Sequence, residues 1–136
     1  MTQAAQTRDK DMNDKPLIGI VDDDESVRMA LGTLLRSVGL HNRAYASGAE
    51  YLSHRPGGRF GCLIVDIRMK GMSGLELQAE LRRGGDTTPL IFISAHGEDD
   101  HRRRALAAGP FGFLAKPFDE AALLALVRGA LASRAG

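Results

Sequence analysis

The sequence predicts a doubly wound α/β domain with five parallel strands alternating with five helices, in the order 2-1-3-4-5. Three observations carry this. Short continuous apolar runs recur at residues 18–21, 62–65, 90–93 and 113–115, and runs of this length suit strands covered on both faces. Segments with helical apolar spacing lie between them, which implies right-handed crossovers and a parallel sheet. Each run ends in a residue with useful chemistry: Asp22-Asp23-Asp24, Asp66, Ser94 and Lys116. Ligands of open parallel sheets sit beyond the carboxyl ends of the strands, so the four endings are expected to converge.

Taken in order, residues 1–15 lack apolar periodicity and read as a disordered tail. Residues 16–136 read as one folded domain. The first strand spans 17–21. Asp24 or a neighbour caps a helix to about Val38, with an apolar stripe of Val27, Leu31, Leu34, Leu35 and Val38. Gly39 stops it. Residues 40–46 mix His41, Asn42 and Arg43 with few apolar side chains, as an edge strand would. Ser47 caps a short helix to about His54, and Arg55-Pro56-Gly57-Gly58 is a loop.

The third strand covers about 60–65. Ser73 followed by Glu76 has the spacing of a capping box. Its helix carries Leu77 and Leu81 on one face and ends near Gly84-Gly85. The fourth strand is 90–93. The fourth helix spans roughly 98–108 and ends at Gly109. The fifth strand is 113–115, and Asp119 caps a last helix with the stripe Leu123, Leu124, Val127, Ala130 and Leu131.

Composition narrows the function. The chain has 136 residues, 43% hydrophobic and 26% charged, and a net charge of only +1, so no global field argues for nucleic acid. No apolar stretch reaches membrane-spanning length, and the polar N-terminus lacks the apolar core of a secretory signal. The single Cys62 sits in an apolar run and reads as a core residue. A cytoplasmic location fits.

In the 2-1-3-4-5 order the switch point lies between strands one and three, which brings Asp22, Asp23 and Asp66 into one pocket. Carboxylates that close repel unless a cation neutralises them. An all-oxygen site suits a hard divalent ion, and Mg²⁺ takes carboxylates, waters and a phosphate oxygen. A carboxylate can also act as a nucleophile and form an aspartyl-phosphate. Lys116 offers a positive charge and Ser94 a hydroxyl for a phosphoryl group on Asp66. Alone, Asp24 is a helix cap, Lys116 a solvated lysine, Ser94 a strand-end cap and Phe113 a core residue. The joint placement is what favours chemistry. His96 and His101 are expected to be exposed, and no metal-ligand spacing links the four His residues.

The motifs IVDDDESVR (20–28), LIVDIRMKGMSGLEL (63–77), IFISAHGE (91–98) and FLAKPF (113–118) together resemble the response-regulator receiver family, from Leu17 to the C-terminus. The resemblance implies a flavodoxin-like fold. It implies Asp66 as phosphoacceptor, Asp23 as direct Mg²⁺ ligand, Asp22 acting mainly through water, and the Arg68 backbone carbonyl on the metal. Ser94 takes the place of the switch hydroxyl and Phe113 that of the switch aromatic. Lys116 contacts the phosphoryl group, and Lys116-Pro117 is expected to be cis.

The implied partners are a sensor histidine kinase or phosphotransfer protein and an unknown downstream protein, with phosphorylation-dependent homodimerisation as a further expectation. The protein is not expected to be an enzyme beyond phosphorylating and dephosphorylating itself.

The sequence departs from the family at Lys70, where relatives commonly carry Pro in the loop after the phosphoacceptor. This loses a φ constraint and adds a cation near the acids. The sequence also stops at Gly136, which leads to the expectation of output through protein contact, with no direct binding of nucleic acid or membrane. The alternative is a receiver fragment of a longer DNA-binding transcriptional regulator. A phosphohydrolase with an Asp nucleophile would want a second Asp two residues on, where Arg68 stands. Helix four has no apolar residue over 98–104, so its first half is expected to be the least stable helical segment.

Overall fold

The computed structural model describes residues 16–54, 60–95 and 99–135. The expected tail over 1–15, the loop Arg55-Pro56-Gly57-Gly58, a helix start at Glu98, and the side chains of His96 and His101 lie outside the described residues.

Among the described residues five strands and five helices alternate: β1 Leu17–Val21, α1 Glu25–Ser37, β2 Asn42–Tyr45, α2 Gly48–His54, β3 Phe60–Asp66, α3 Gly74–Arg83, β4 Leu90–Ser94, α4 Asp99–Ala107, β5 Gly112–Ala115 and α5 Glu120–Ala135. The sheet is parallel in the order β2-β1-β3-β4-β5, and β2 lies at an edge, as its polar composition suggests. It is shorter than expected. Leu40 is outside the strand, its N–H turned back to the carbonyl of Leu35 at the end of α1.

The sheet has a core on each face, assembled by the two-residue alternation of the strands. Val21, Leu63, Val65 and Phe92 point to one side, with Tyr51, Leu77, Leu81 and Ala105 from α2, α3 and α4. Ile18, Ile20, Cys62, Ile64 and Ile91 point to the other, with Leu31 and Leu35 of α1 and Leu123, Val127 and Ala130 of α5. β1, β3 and β4 are buried along their whole length. Fully burying each Leu or Ile contributes about 1.5–3 kcal/mol. Cys62 is a core residue as read, and burial pushes its thiol up to about 12.

Local signals set the helix starts. Asp24 accepts the Ser26 N–H at 2.9 Å and its hydroxyl at 2.7 Å, which together hold its carboxyl below the usual carboxylate range. Ser47 Oγ accepts from Glu50 N–H. Ser73 and Glu76 complete the capping box reciprocally. Asp119 accepts from Ala122 N–H at 2.9 Å. α1 ends where expected, at Gly39 with φ +80°, a conformation that costs other residues energy.

One expected stripe position differs, and α4 buries little. Val38 is the C-cap of α1 and is 37% exposed, because the helix has stopped and its face no longer meets the sheet. Of the apolar end of α4, only Ala105 is buried, and Leu106 is 52% exposed.

Candidate acidic site at the carboxyl end of the sheet

The site is built from the ends of four strands, β1, β3, β4 and β5. Asp66 is the last residue of β3 and is 5% exposed. The segment after it is braced from both sides: Ile67 N–H donates to Ile93 O at 3.0 Å, and Gly74 N–H to Ile67 O at 2.9 Å. At Gly74 a Cβ would stand 2.5 Å from the Asp66 carbonyl oxygen, so only glycine lets α3 begin this close to β3.

Asp22 follows β1 and is completely buried. Its Oδ1 accepts the Asp24 N–H at 2.9 Å and its Oδ2 accepts Lys116 Nζ at 2.9 Å. The Arg28 guanidinium donates to its main-chain carbonyl at 2.8 Å. Asp23 is exposed, and its Oδ2 accepts the Lys70 N–H at 3.2 Å.

Lys116 follows β5. Its N–H donates to Ser94 O at 2.6 Å, and the Lys116-Pro117 bond is cis, as expected. Besides the contact with Asp22, its Nζ lies 3.8 Å from Asp66 Oδ2. Ser94 ends β4 and is fully buried. Phe113 on β5 is partly buried against the core, with the Arg102 guanidinium carbon 5.8 Å from its ring centre.

The strand order thus brings Asp22, Asp23, Asp66 and Lys116 together as expected. One carboxylate oxygen from each of the three acids lies within 4.8 Å of the others. Burial, and then the neighbouring Asp22, push Asp66 up to about 6, against the opposing pull of Lys116 and the hydrogen bond from the Arg68 amide. Hard carboxylate oxygens without a His or Cys make a donor set that fits a hard divalent cation.

Sequence reasoning missed three contributors. Arg28 sits on the α1 face and reaches back to the Asp22 carbonyl, a contact that no spacing rule encodes. The departure from Pro at Lys70 points to a freer loop and an added charge, whereas the structure also uses the main-chain N–H that Pro would lack. Arg104 of α4 joins Arg68, Lys70 and Asp23 along a cleft of about 470 Å³. Two elements far apart in sequence meet there, so no local pattern could signal it.

Comparison with known proteins bears on the family and the fold. The family model described as "Response regulator receiver domain" matches residues 18–128. The response regulator protein TodT of Pseudomonas putida is 42% identical over 127 residues, covering 93% of this chain and 56% of that protein. The C4-dicarboxylate transport transcriptional regulatory protein DctR of Rhodobacter capsulatus is 40% identical over 121 residues, covering 88% of this chain and 61% of that protein. Among solved structures, response regulator StyR is 45% identical with a TM-score of 0.82, over 89% of this chain and 61% of StyR. The chain therefore spans little more than half the length of these relatives.

Proposed function

The chain belongs to the response regulator receiver domain family, and from that premise we propose that it is a phosphorylation-dependent switch which takes a phosphoryl group onto Asp66. The observation that carries the proposal is the cluster at the strand ends: a buried, poised Asp66 beside two further acids and one ammonium.

In this reading an Asp66 carboxylate oxygen attacks the phosphorus of a phosphohistidine on a sensor kinase or phosphotransfer protein. The new P–O bond forms as the bond to the donor nitrogen breaks. Asp23, Asp66 and the Arg68 main-chain carbonyl would hold Mg²⁺ directly, and Asp22 would act mainly through water. Bound Mg²⁺ supplies neutralisation of the crowded acids and of the phosphoryl oxygens. Lys116 is already at the site and adds a second positive charge toward the phosphoryl group. Positioning and charge neutralisation are most of what such a transfer needs.

Ser94 then moves toward the phosphoryl group, Phe113 follows, and the face formed by α4, β5 and α5 changes for a protein partner or a second copy of the chain. The only chemistry proposed is this self-phosphorylation and the later hydrolysis of the acyl phosphate. The cytoplasm is part of the same proposal, supported by the free, buried Cys62 thiol, which asks for no oxidising compartment. No helix among the described residues is long and apolar enough to cross a membrane.

A second reading of the output is control of transcription. It is favoured by the name of DctR, a transcriptional regulatory protein.

Incubation with Mg²⁺ and a small acyl phosphate tests the central claim. One hydroxylamine-labile phosphoryl group per chain, on Asp66, is expected. Continuous turnover of the donor would instead indicate a phosphohydrolase, and absence of labelling a domain that only binds partners.

A further inference from the structure

We propose that the main-chain N–H of Lys70 is a positioning group that presents the Asp23 carboxylate to a divalent cation. The inference rests on the reading of the acid cluster as a cation site and concerns what sets its affinity.

The three acids are restrained very differently. Asp22 is buried and gripped at both oxygens by the Asp24 N–H and Lys116. Asp66 is buried at the end of β3. Asp23 is exposed, and among the described residues its carboxylate accepts one hydrogen bond, from the Lys70 N–H at 3.2 Å across 47 positions of sequence. A solvated carboxylate must lose rotamer freedom to become a ligand. A hydrogen bond to Oδ2 has already restricted that freedom and leaves Oδ1 as the uncommitted oxygen. The turn that aims this N–H continues through Gly71, whose φ of +77° is open to glycine without strain.

Partners that hold a ligating carboxylate in place typically change metal affinity 10–100-fold. Every residue except proline can supply this donor. Lys70 therefore acts on the site in two opposite ways. Its N–H orders Asp23, while the exposed residue lines the same cleft and carries a positive charge that opposes a cation.

The two effects separate in a pair of variants, measured on the full chain by calorimetric titration with Mg²⁺ in the absence of any phosphodonor. Lys70→Ala keeps the N–H and removes the charge, and should bind Mg²⁺ as tightly as the wild type or more tightly. Lys70→Pro removes both, and should bind about tenfold more weakly than Lys70→Ala. Equal affinities in the two variants would overturn the proposal while leaving the cation site standing. No binding by the wild type would overturn the site and the proposal together.

Lys70 has no positive φ, so the sign of its backbone angle suits proline, and circular dichroism reports whether the variant folds. If it does not, amide exchange followed by NMR decides. Asp23→Ala should speed exchange of the Lys70 amide about tenfold and leave the Gly74 amide, bonded to Ile67 O, unchanged. An unaltered Lys70 amide would overturn the proposal.

Discussion

Lys116 Nζ lies 2.9 Å from Asp22 Oδ2 but 3.8 Å from Asp66 Oδ2. In this state the direct partner of the lysine is thus the buried acid of β1. Asp66, the proposed phosphoacceptor, feels Lys116 without a hydrogen bond from it. The lysine reaches the pocket from the β5 side and neutralises a fully buried carboxylate.

Removing that cation leaves a buried charge unpaired. Lys116→Met should destabilise the fold by roughly 3–5 kcal/mol, the usual cost of breaking a buried pair from one side. Asp22→Asn in the same chain should restore much of the loss, since an amide tolerates burial better. Urea unfolding of the single and double variants checks this. Additive effects would show that the pair is not a stability element.

Asp66→Asn should abolish phosphorylation and stabilise the protein in a pH-dependent way. Folding raises Asp66 from an ordinary value of 3.8 to about 6. Between those values the folded state holds more protons than the unfolded chain, so stability falls as pH rises through this window. The asparagine carries no such proton. Its advantage over the wild type should grow from about pH 4 to pH 6 and then level off, at roughly 1–3 kcal/mol. Unfolding at a series of pH values without divalent ions measures it. A constant difference across the range would contradict the burial argument.

Ser94→Ala should still accept a phosphoryl group but transmit it weakly. Ser94 is fully buried, and Phe113 sits one strand away in a partly buried position under Arg102. Phe113 lacks a phenolic hydroxyl, so its inward position is favoured by burial alone. NMR shift changes across α4, β5 and α5 on phosphorylation should be much smaller than in the wild type. Full-sized changes would remove Ser94 from the relay.

Helix α4 should open before α1 and α5. Its side chains at 102–104 are exposed, and Ala105 is the buried residue of its apolar end. The contact of Arg102 with the Phe113 ring adds only about 0.5–1 kcal/mol at an exposed site. Amide hydrogen exchange in the unphosphorylated protein should show the lowest helical protection at 102–104. Protection equal to that of α1 and α5 would exclude a loosely held switch element.

Much was legible in the chain because it is encoded locally. Continuous apolar runs give β1 as 17–21 and mark β3 as a strand covered on both faces. Asp24, Ser73 with Glu76, and Asp119 announced their helices by short-range capping chemistry. The strand order could be anticipated, and with it the meeting of Asp22, Asp23, Asp66 and Lys116, since connection length and crossover handedness leave few alternatives. What tertiary structure alone decided was which partner each of these groups takes. Asp22 became the buried, doubly held acid, Lys116 turned to it before Asp66, and Asp23 stayed in water, tied to the Lys70 N–H. Arg28 and Arg104 joined the site from helix faces that look ordinary in sequence. Partner choice depends on differences of about an ångström between side chains tens of residues apart. No one-dimensional pattern carries such distances, and they arise only when the packed sheet fixes its loops against one another.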